Sequence, residues 1–121
     1  MSTLNVSNIT DGTTTVGTSY VVNGSAKAWA LYQSNLTPHV VHESFSVSSI
    51  TDNGVGRHYV NFTSAFAAAE GYVTMGNSSW RGIANPEVWT TTYCEILTTD
   101  TASNSLGDRA RVHVSFTGDL A

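Results

Sequence analysis

Residues 44–66 read SFSVSSITDNGVGRHYVNFTSAF. Phe45 and Val47 share one parity with small hydroxylic residues between them, and Tyr59-Val60-Asn61-Phe62-Thr63 resumes the alternation. Alternation with period two marks a half-buried strand. Between the two runs stands Thr51-Asp52-Asn53-Gly54-Val55-Gly56, where Asn and Gly take positive φ at least cost. A single β-hairpin is therefore expected from Ser44 to Phe66, with Asn53 and Gly54 at positive φ and Gly56 as a second permissive position. Ile50 falls on the opposite parity from Phe45 and Val47. A bulge near Ser48-Ser49 would return it to their face and leave one residue unpaired.

Strand patterns continue on both sides. Upstream, Lys27-Ala28-Trp29-Ala30-Leu31-Tyr32-Gln33 places Trp29 and Leu31 on one face and Ala28, Ala30 and Tyr32 on the other, the mark of a central or interfacial strand. The turn after it holds Pro38, which cannot sit inside a central strand. Ser19–Val22 is expected as a short strand closed by Asn23-Gly24. Downstream, Ala67–Gly71 suits one helical turn, Tyr72–Met75 a strand and Gly76–Pro86 a long polar loop carrying Trp80 and Arg81. Glu87–Thr99 is the longest strand candidate. One of its parities is Trp89, Thr91, Tyr93, Glu95 and Leu97, and that mixture of aromatics and charge suggests partial exposure or an interface. A polar loop spans Thr98–Gly107. In the last strand, Arg109–Thr117, Ala110, Val112, Val114 and Phe116 face inward and Arg109, Arg111, His113 and Ser115 outward, the cleanest alternation in the chain. Roughly seven or eight strands separated by turns point to an all-β, antiparallel β-sandwich or jelly-roll-like domain.

The first residues differ. STLNVSNITDGTTTVG, residues 2–17, offers only Leu4, Val6, Ile9 and Val16 as apolar side chains larger than Ala. It cannot build a core alone. Residues 1–18 are expected as an extended arm whose Leu4, Val6 and Ile9 dock on a copy of the chain or on a larger particle. Residues 19–121 form the β-sandwich domain.

Composition narrows the function. The chain has 121 residues, 12% of them charged, and a net charge of −4. Its basic residues, Lys27, Arg57, Arg81, Arg109 and Arg111, are scattered but for the last pair, so there is no footprint for nucleic acid. No stretch is long and apolar enough to span a membrane. The start, Met1 to Val6, lacks the basic end and apolar run of a secretory signal, so cytosolic synthesis is expected and the sequons at Asn5, Asn8, Asn23, Asn35, Asn61 and Asn77 are expected to be unmodified. Cys94 is the single cysteine, and its place in a strand pattern suits a small buried hydrophobe.

Catalytic chemistry is not evident. Asp11, Asp52, Asp100, Asp108 and Asp119 stand in turn-like or terminal contexts, where Asp satisfies backbone donors. Only Glu43, Glu70, Glu87 and Glu95 are candidates for a hydrolytic pair, and nothing pairs them. His39 and His42 are three apart, which on a strand puts them on opposite faces. With His58 and His113 and no supporting cysteine they do not make a closed zinc site. A metal held on a threefold axis by one outward His per copy is the remaining arrangement, and surface or hydrogen-bonded His the simpler one. No cofactor or metal is expected. The binding candidates are aromatic. Trp80 at a loop tip is suited to stacking on a sugar or packing on a partner, or folds back as a lid over the sheet edge. Arg81 stands beside it, and Trp89 and Tyr93 share a strand face and would join it in one patch. Trp29 is assigned to the core or to an oligomer interface.

The phrase VSSITDNGVGRHYVNFTSAFA, preceded by KAWALYQ and followed by GYVTMGN, resembles a module of tailed phages, chiefly marine ones, that forms the C-terminal part of tail fibres. The resemblance is strong from about Lys27 to Met75 and returns faintly at DRARVHVSF. It implies a β-rich, trimeric, non-enzymatic virion protein. The expected role is a small fibre or fibre-tip protein that attaches to other virion proteins and contacts a host surface glycan or protein. The rival expectations are a capsid decoration or cement protein that stabilises the head and a free lectin-like glycan-binding module.

Overall fold

A computed structural model describes residues 1–80, 82–100 and 102–121. The fold is an antiparallel β-sandwich. The strands are β1 (Asn8–Thr10), β2 (Thr15–Gly17), β3 (Ala26–Gln33), β4 (Val40–Phe45), β5 (Val47–Asp52), β6 (Arg57–Phe62), β7 (Tyr72–Ser78), β8 (Gly82–Trp89), β9 (Tyr93–Asp100), β10 (Ser105–Leu106) and β11 (Val112–Gly118), with a short helix α1 (Thr18–Gly24) after β2. One sheet has the order β4-β3-β11-β7. In the other, β9 pairs with β8 along one side and with β6 and the short β10 along the other, and β5 completes it beyond β6.

The inward faces meet as the alternation requires. Ala28, Ala30 and Tyr32 of β3 and Val112, Val114 and Phe116 of β11 pack on Val60 and Phe62 of β6 and Cys94 and Ile96 of β9. The inward set assigned to the last strand is buried at Val112, Val114 and Phe116, whereas Ala110 lies just before β11 and is half-buried. At one end of the sandwich Phe62 packs edge-on against Phe66 and Phe116, and Phe66 stacks on Tyr72 at 4.3 Å. Small side chains in the middle of β3 leave the room those rings fill. Cys94 is fully buried, and burial pushes its thiol up to about 11.

The hairpin forms, with two changes. Val47 pairs with Phe62 and Ser49 with Asn61, so Ser48 is the bulged residue and Ile50 turns inward to pack on the core. In the turn, Gly54 and Gly56 have positive φ and Asn53 does not. The hairpin also begins later than Ser44. Ser46 takes φ 54°, β4 ends at Phe45 in one sheet and β5 begins at Val47 in the other. Phe45 and Val47 therefore belong to different strands, and Phe45 is exposed.

Other expectations are corrected. Ser19–Val22 is helical, not a strand. The Lys27 ammonium reaches the carbonyls of Val22 and Ser25, offsetting the unpaired acceptors at the end of α1. Ala67–Gly71 is a turn without a helix. Gly76–Pro86 is mostly strand, because β7 runs to Ser78 and β8 starts at Gly82. Pro86 is tolerated since β8 lies at a sheet edge, with a bulge between Pro86 and Val88. Glu87–Thr99 is not one strand. It folds back at Thr90–Thr92, where the Thr90 hydroxyl donates to the Tyr93 carbonyl at 2.8 Å and accepts from the Tyr93 amide at 2.9 Å. The first residues form a hairpin of β1 and β2, not an extended arm. Asp11 closes it by accepting from the Thr13 and Thr14 amides, which hold its carboxyl below the usual range.

Candidate functional site

The outer face of the β4-β3-β11-β7 sheet carries the main exposed feature. Register places Phe45, Trp29, Ser115 and Met75 in one row across all four strands, and Glu43, Leu31, His113 and Asn77 in the next. Phe45 is 55% exposed, Trp29 39% and Met75 70%, and Val73 beside Met75 is 67% exposed. A shallow groove of about 580 Å³ runs along these rows, lined by Trp29, Leu31, Glu43, Met75 and His113 among others. Outward positions of a solvated sheet are ordinarily polar. Here an aromatic pair and a methionine occupy them, and Glu43 and His113 flank Leu31. Trp29 thus belongs to a surface and not to the core.

The four residues expected in one aromatic patch are not brought together. Trp80 sits in the β7–β8 turn with φ 61° and is 85% exposed, and it folds over no sheet edge. Arg81 lies outside the described residues. Trp89 is at the far end of β8, and at roughly 3.3 Å per residue the strand holds the two tryptophans about 25 Å apart or more. Tyr93 starts β9 across the hairpin turn from Trp89 and packs on Tyr59 with ring centroids 4.8 Å apart, on the outer face of the other sheet. Trp89 instead lines a corner groove of about 410 Å³ with Glu70, Tyr72, Val73, Thr74 and Pro86. Leu4, Val6 and Ile9 are exposed, and the Thr18 hydroxyl closes the base of the β1–β2 hairpin by donating to the carbonyls of Val6 and Ser7.

Two buried polar groupings escaped the sequence reading. Glu95 points to the outer side of its sheet yet is 2% exposed. Its Oε1 accepts from Arg57 Nε at 3.0 Å and from Asn53 Nδ2 at 3.1 Å. Tyr59 caps the group, its hydroxyl 2.9 Å from Asn53 Nδ2. The register pair Tyr59–Glu95 was invisible without the strand partners.

The second grouping closes the end of the sandwich opposite the phenylalanines. His58 of β6 is fully buried, with Nδ1 3.0 Å from the Tyr32 hydroxyl and Nε2 3.7 Å from Asp108 Oδ1. His39, in the β3–β4 loop, crosses it edge-on at 5.0 Å and places Nε2 3.6 Å from Asp52 Oδ2. His39 Nδ1 and His58 Nε2 are buried and have no hydrogen-bond partner among the described residues. Burial, and then the neighbouring His39, hold the His58 imidazole down to about 4, against the pull of Asp108 and Asp52. Burial also keeps the Tyr32 phenol protonated. His42, by contrast, is exposed beside Arg111, 3.3 Å from its Nη1. Among the described residues no three His, Cys, Asp or Glu side chains are placed to hold a metal ion, and no helix is long and apolar enough to cross a membrane.

No family model, curated protein or solved structure matches the chain.

Proposed function

We propose that the chain is a non-enzymatic structural protein of a phage virion, a small homotrimeric fibre or fibre-tip module whose four-stranded sheet packs on copies of itself. The observation that carries this reading is the apolar row Phe45–Trp29–Met75 on an outer sheet face. Burying such side chains contributes about 1.5–3 kcal/mol each. The virion setting and the number of copies rest on the resemblance across Lys27–Met75.

The size of the face supports a second contribution from the first residues. Four strands spaced about 4.8 Å apart and about 23 Å long give a plan area of roughly 440 Å², below the roughly 800 Å² per partner of a standard stable interface. The exposed Leu4 and Val6 ahead of the β1–β2 hairpin, and Ile9 within it, supply further apolar area, on a neighbouring copy or on a tail or capsid surface. A decoration or cement role on the head uses the same two surfaces, and copy number per particle separates it from a fibre.

The corner groove favours a second, compatible activity. An indole face beside the Glu70 carboxylate and the Thr74 hydroxyl suits a host surface glycan, since sugars offer one apolar face and a polar rim.

Sedimentation and light scattering of the purified chain test the proposal. The expected mass is three chains, and Trp29→Lys with Met75→Lys is expected to give a monomer with an unchanged circular dichroism spectrum. A wild-type chain that stays monomeric at concentrations well above micromolar overturns self-association, and absence of the chain from purified particles overturns the virion role.

A further inference from the structure

We infer that His39 and His58 form a proton-operated latch that holds three loops together at one end of the sandwich and releases them in acid. The grouping stands apart from both surfaces proposed for assembly and binding. Its members come from four places in the chain: Tyr32 at the end of β3, His39 in the β3–β4 loop, Asp52 and His58 on either side of the β5–β6 turn, and Asp108 in the segment before β11. The same end is sewn by backbone and side-chain bonds. The Gly56 amide donates to Asp108 Oδ1 at 2.8 Å, the Thr98 amide to the Gly56 carbonyl at 2.9 Å, and the Arg109 amide to Ser34 Oγ at 2.8 Å. Arg109 also stands 3.7 Å from Asp100. Whatever displaces His39 and His58 therefore reaches residues 34–39, 52–57 and 102–109 together.

The closed arrangement suits a neutral His58. With the Tyr32 phenol protonated, its hydroxyl donates to Nδ1, and Nε2 carries the hydrogen towards Asp108. A second proton on the ring removes the acceptor that Tyr32 uses. It also sets a cation in a dry site 5.0 Å from another imidazole, with Asp108 too distant for a hydrogen bond. An open end, where water reaches His58, has no such conflict.

The sign follows from linkage. The imidazole has its ordinary value of 6.5 when open and is held down to about 4 when closed. The open form binds the extra proton between those values. Closure is therefore at full strength above pH 6.5 and is lost as the pH falls towards 4. One proton changes the opening equilibrium about tenfold per pH unit, so the whole window is worth up to about 300-fold.

Hydrogen exchange and histidine NMR on the full chain, from pH 7.5 to 3.5, test the latch. The expected result is an opening equilibrium, corrected for intrinsic exchange, that rises up to about 300-fold on acidification at residues 34–39, 52–57 and 102–109. Amides of β7, β11 and the phenylalanine end are expected to change far less. Two variants move the response in opposite directions. His39→Gln removes a repelling neighbour and is expected to shrink it, whereas Asp108→Asn removes an attracting one and is expected to enlarge it. An equal response in both variants and the wild type overturns the proposal. So does acid opening spread evenly over all amides, and so does a His58 ring that titrates at the ordinary imidazole value.

Discussion

Gly56 offers a sharp test of how the hairpin turn docks on the rest of the domain. It takes φ +66°, and a Cβ built on it would lie 2.6 Å from the Gly107 amide nitrogen and 2.7 Å from the Thr98 carbonyl oxygen. Both are backbone atoms held by their own hydrogen bonds, the Gly107 amide to Thr98 and the Thr98 amide to Gly56. Ordinary contact begins near 3.4 Å, so Gly56→Ala requires the turn to retreat by about 0.8 Å from the nearer atom. Gly54, two residues earlier, has φ +112° and nothing within 4 Å of the corresponding position. It too takes a positive φ that disfavours alanine, but it has no collision. Backbone strain costs about 1–2 kcal/mol in each case, and forcing a methyl against a closely packed backbone adds about 2 kcal/mol at Gly56 alone. Gly56→Ala is thus expected to cost about 3–4 kcal/mol and Gly54→Ala about 1–2 kcal/mol. In thermal melts the difference is a further fall of roughly 8 °C for Gly56→Ala. Urea titration of both variants, read as midpoints at equal slope, gives the free energies directly. If Gly54→Ala proves as costly as Gly56→Ala, or costlier, the collision is not what restricts this turn and the docking geometry is wrong.

Val112→Asp places an unpaired charge in the centre of the core and is expected to cost about 3 kcal/mol or more, so an unchanged melting temperature would contradict the register of β11. Arg57→Ala strips one donor from the buried Glu95 carboxylate and should destabilise by about 2 kcal/mol in urea titration, less than a fully buried pair because the arginine side chain is 40% exposed. Deleting residues 2–17 is expected to leave the circular dichroism of the sandwich intact and to weaken self-association or particle incorporation; wild-type assembly by the truncated chain would show the hairpin to be idle. Trp89→Ala should abolish retention on an immobilised host glycan without altering the mass of the oligomer, and retention equal to wild type would remove the corner groove as a binding site.

The sandwich was legible where alternation is local. Residues 112–116 alternate without interruption, and the parity of Ile50 pointed either to an outward side chain or to a bulge near Ser48-Ser49, which the register places at Ser48. What was hidden depends on partners distant in sequence. Nothing in Phe45-Ser46-Val47 announces a change of sheet, since a serine at positive φ has no signature of its own. Thr90-Thr91-Thr92 read as strand because threonine favours strands, yet the Thr90 hydroxyl replaces the bonds that a strand would have lost. Gly76–Pro86 read as a loop because it is polar, yet β8 is an edge strand, where the missing amide of Pro86 costs little. Of the candidate site, Trp29 and Trp89 were singled out from the sequence, but their separate settings were not. The shared aromatic patch failed because Trp80 and Trp89 cap opposite ends of one strand. His39 and His58 are nineteen positions apart, and only the crossing of the β3–β4 loop over β6 makes them neighbours.

The place of β11 bears on how the chain is made. It is the last strand of the sandwich in sequence, yet it lies between β3 and β7. β3, β4 and β7 are all synthesised before the strand that joins them, and the partner sheet, drawn from residues 47–106, is synthesised between β4 and β11. During that interval β3 and β7 each present an open edge, and the core face of a half-built sheet covers Val60 and Phe62 poorly. Pairing across such a span is slow, and exposed edges recruit other nascent chains. Closely spaced ribosomes on one message would hold several such chains together, so the interval before Val112–Gly118 emerges is when misassembly between copies competes with folding.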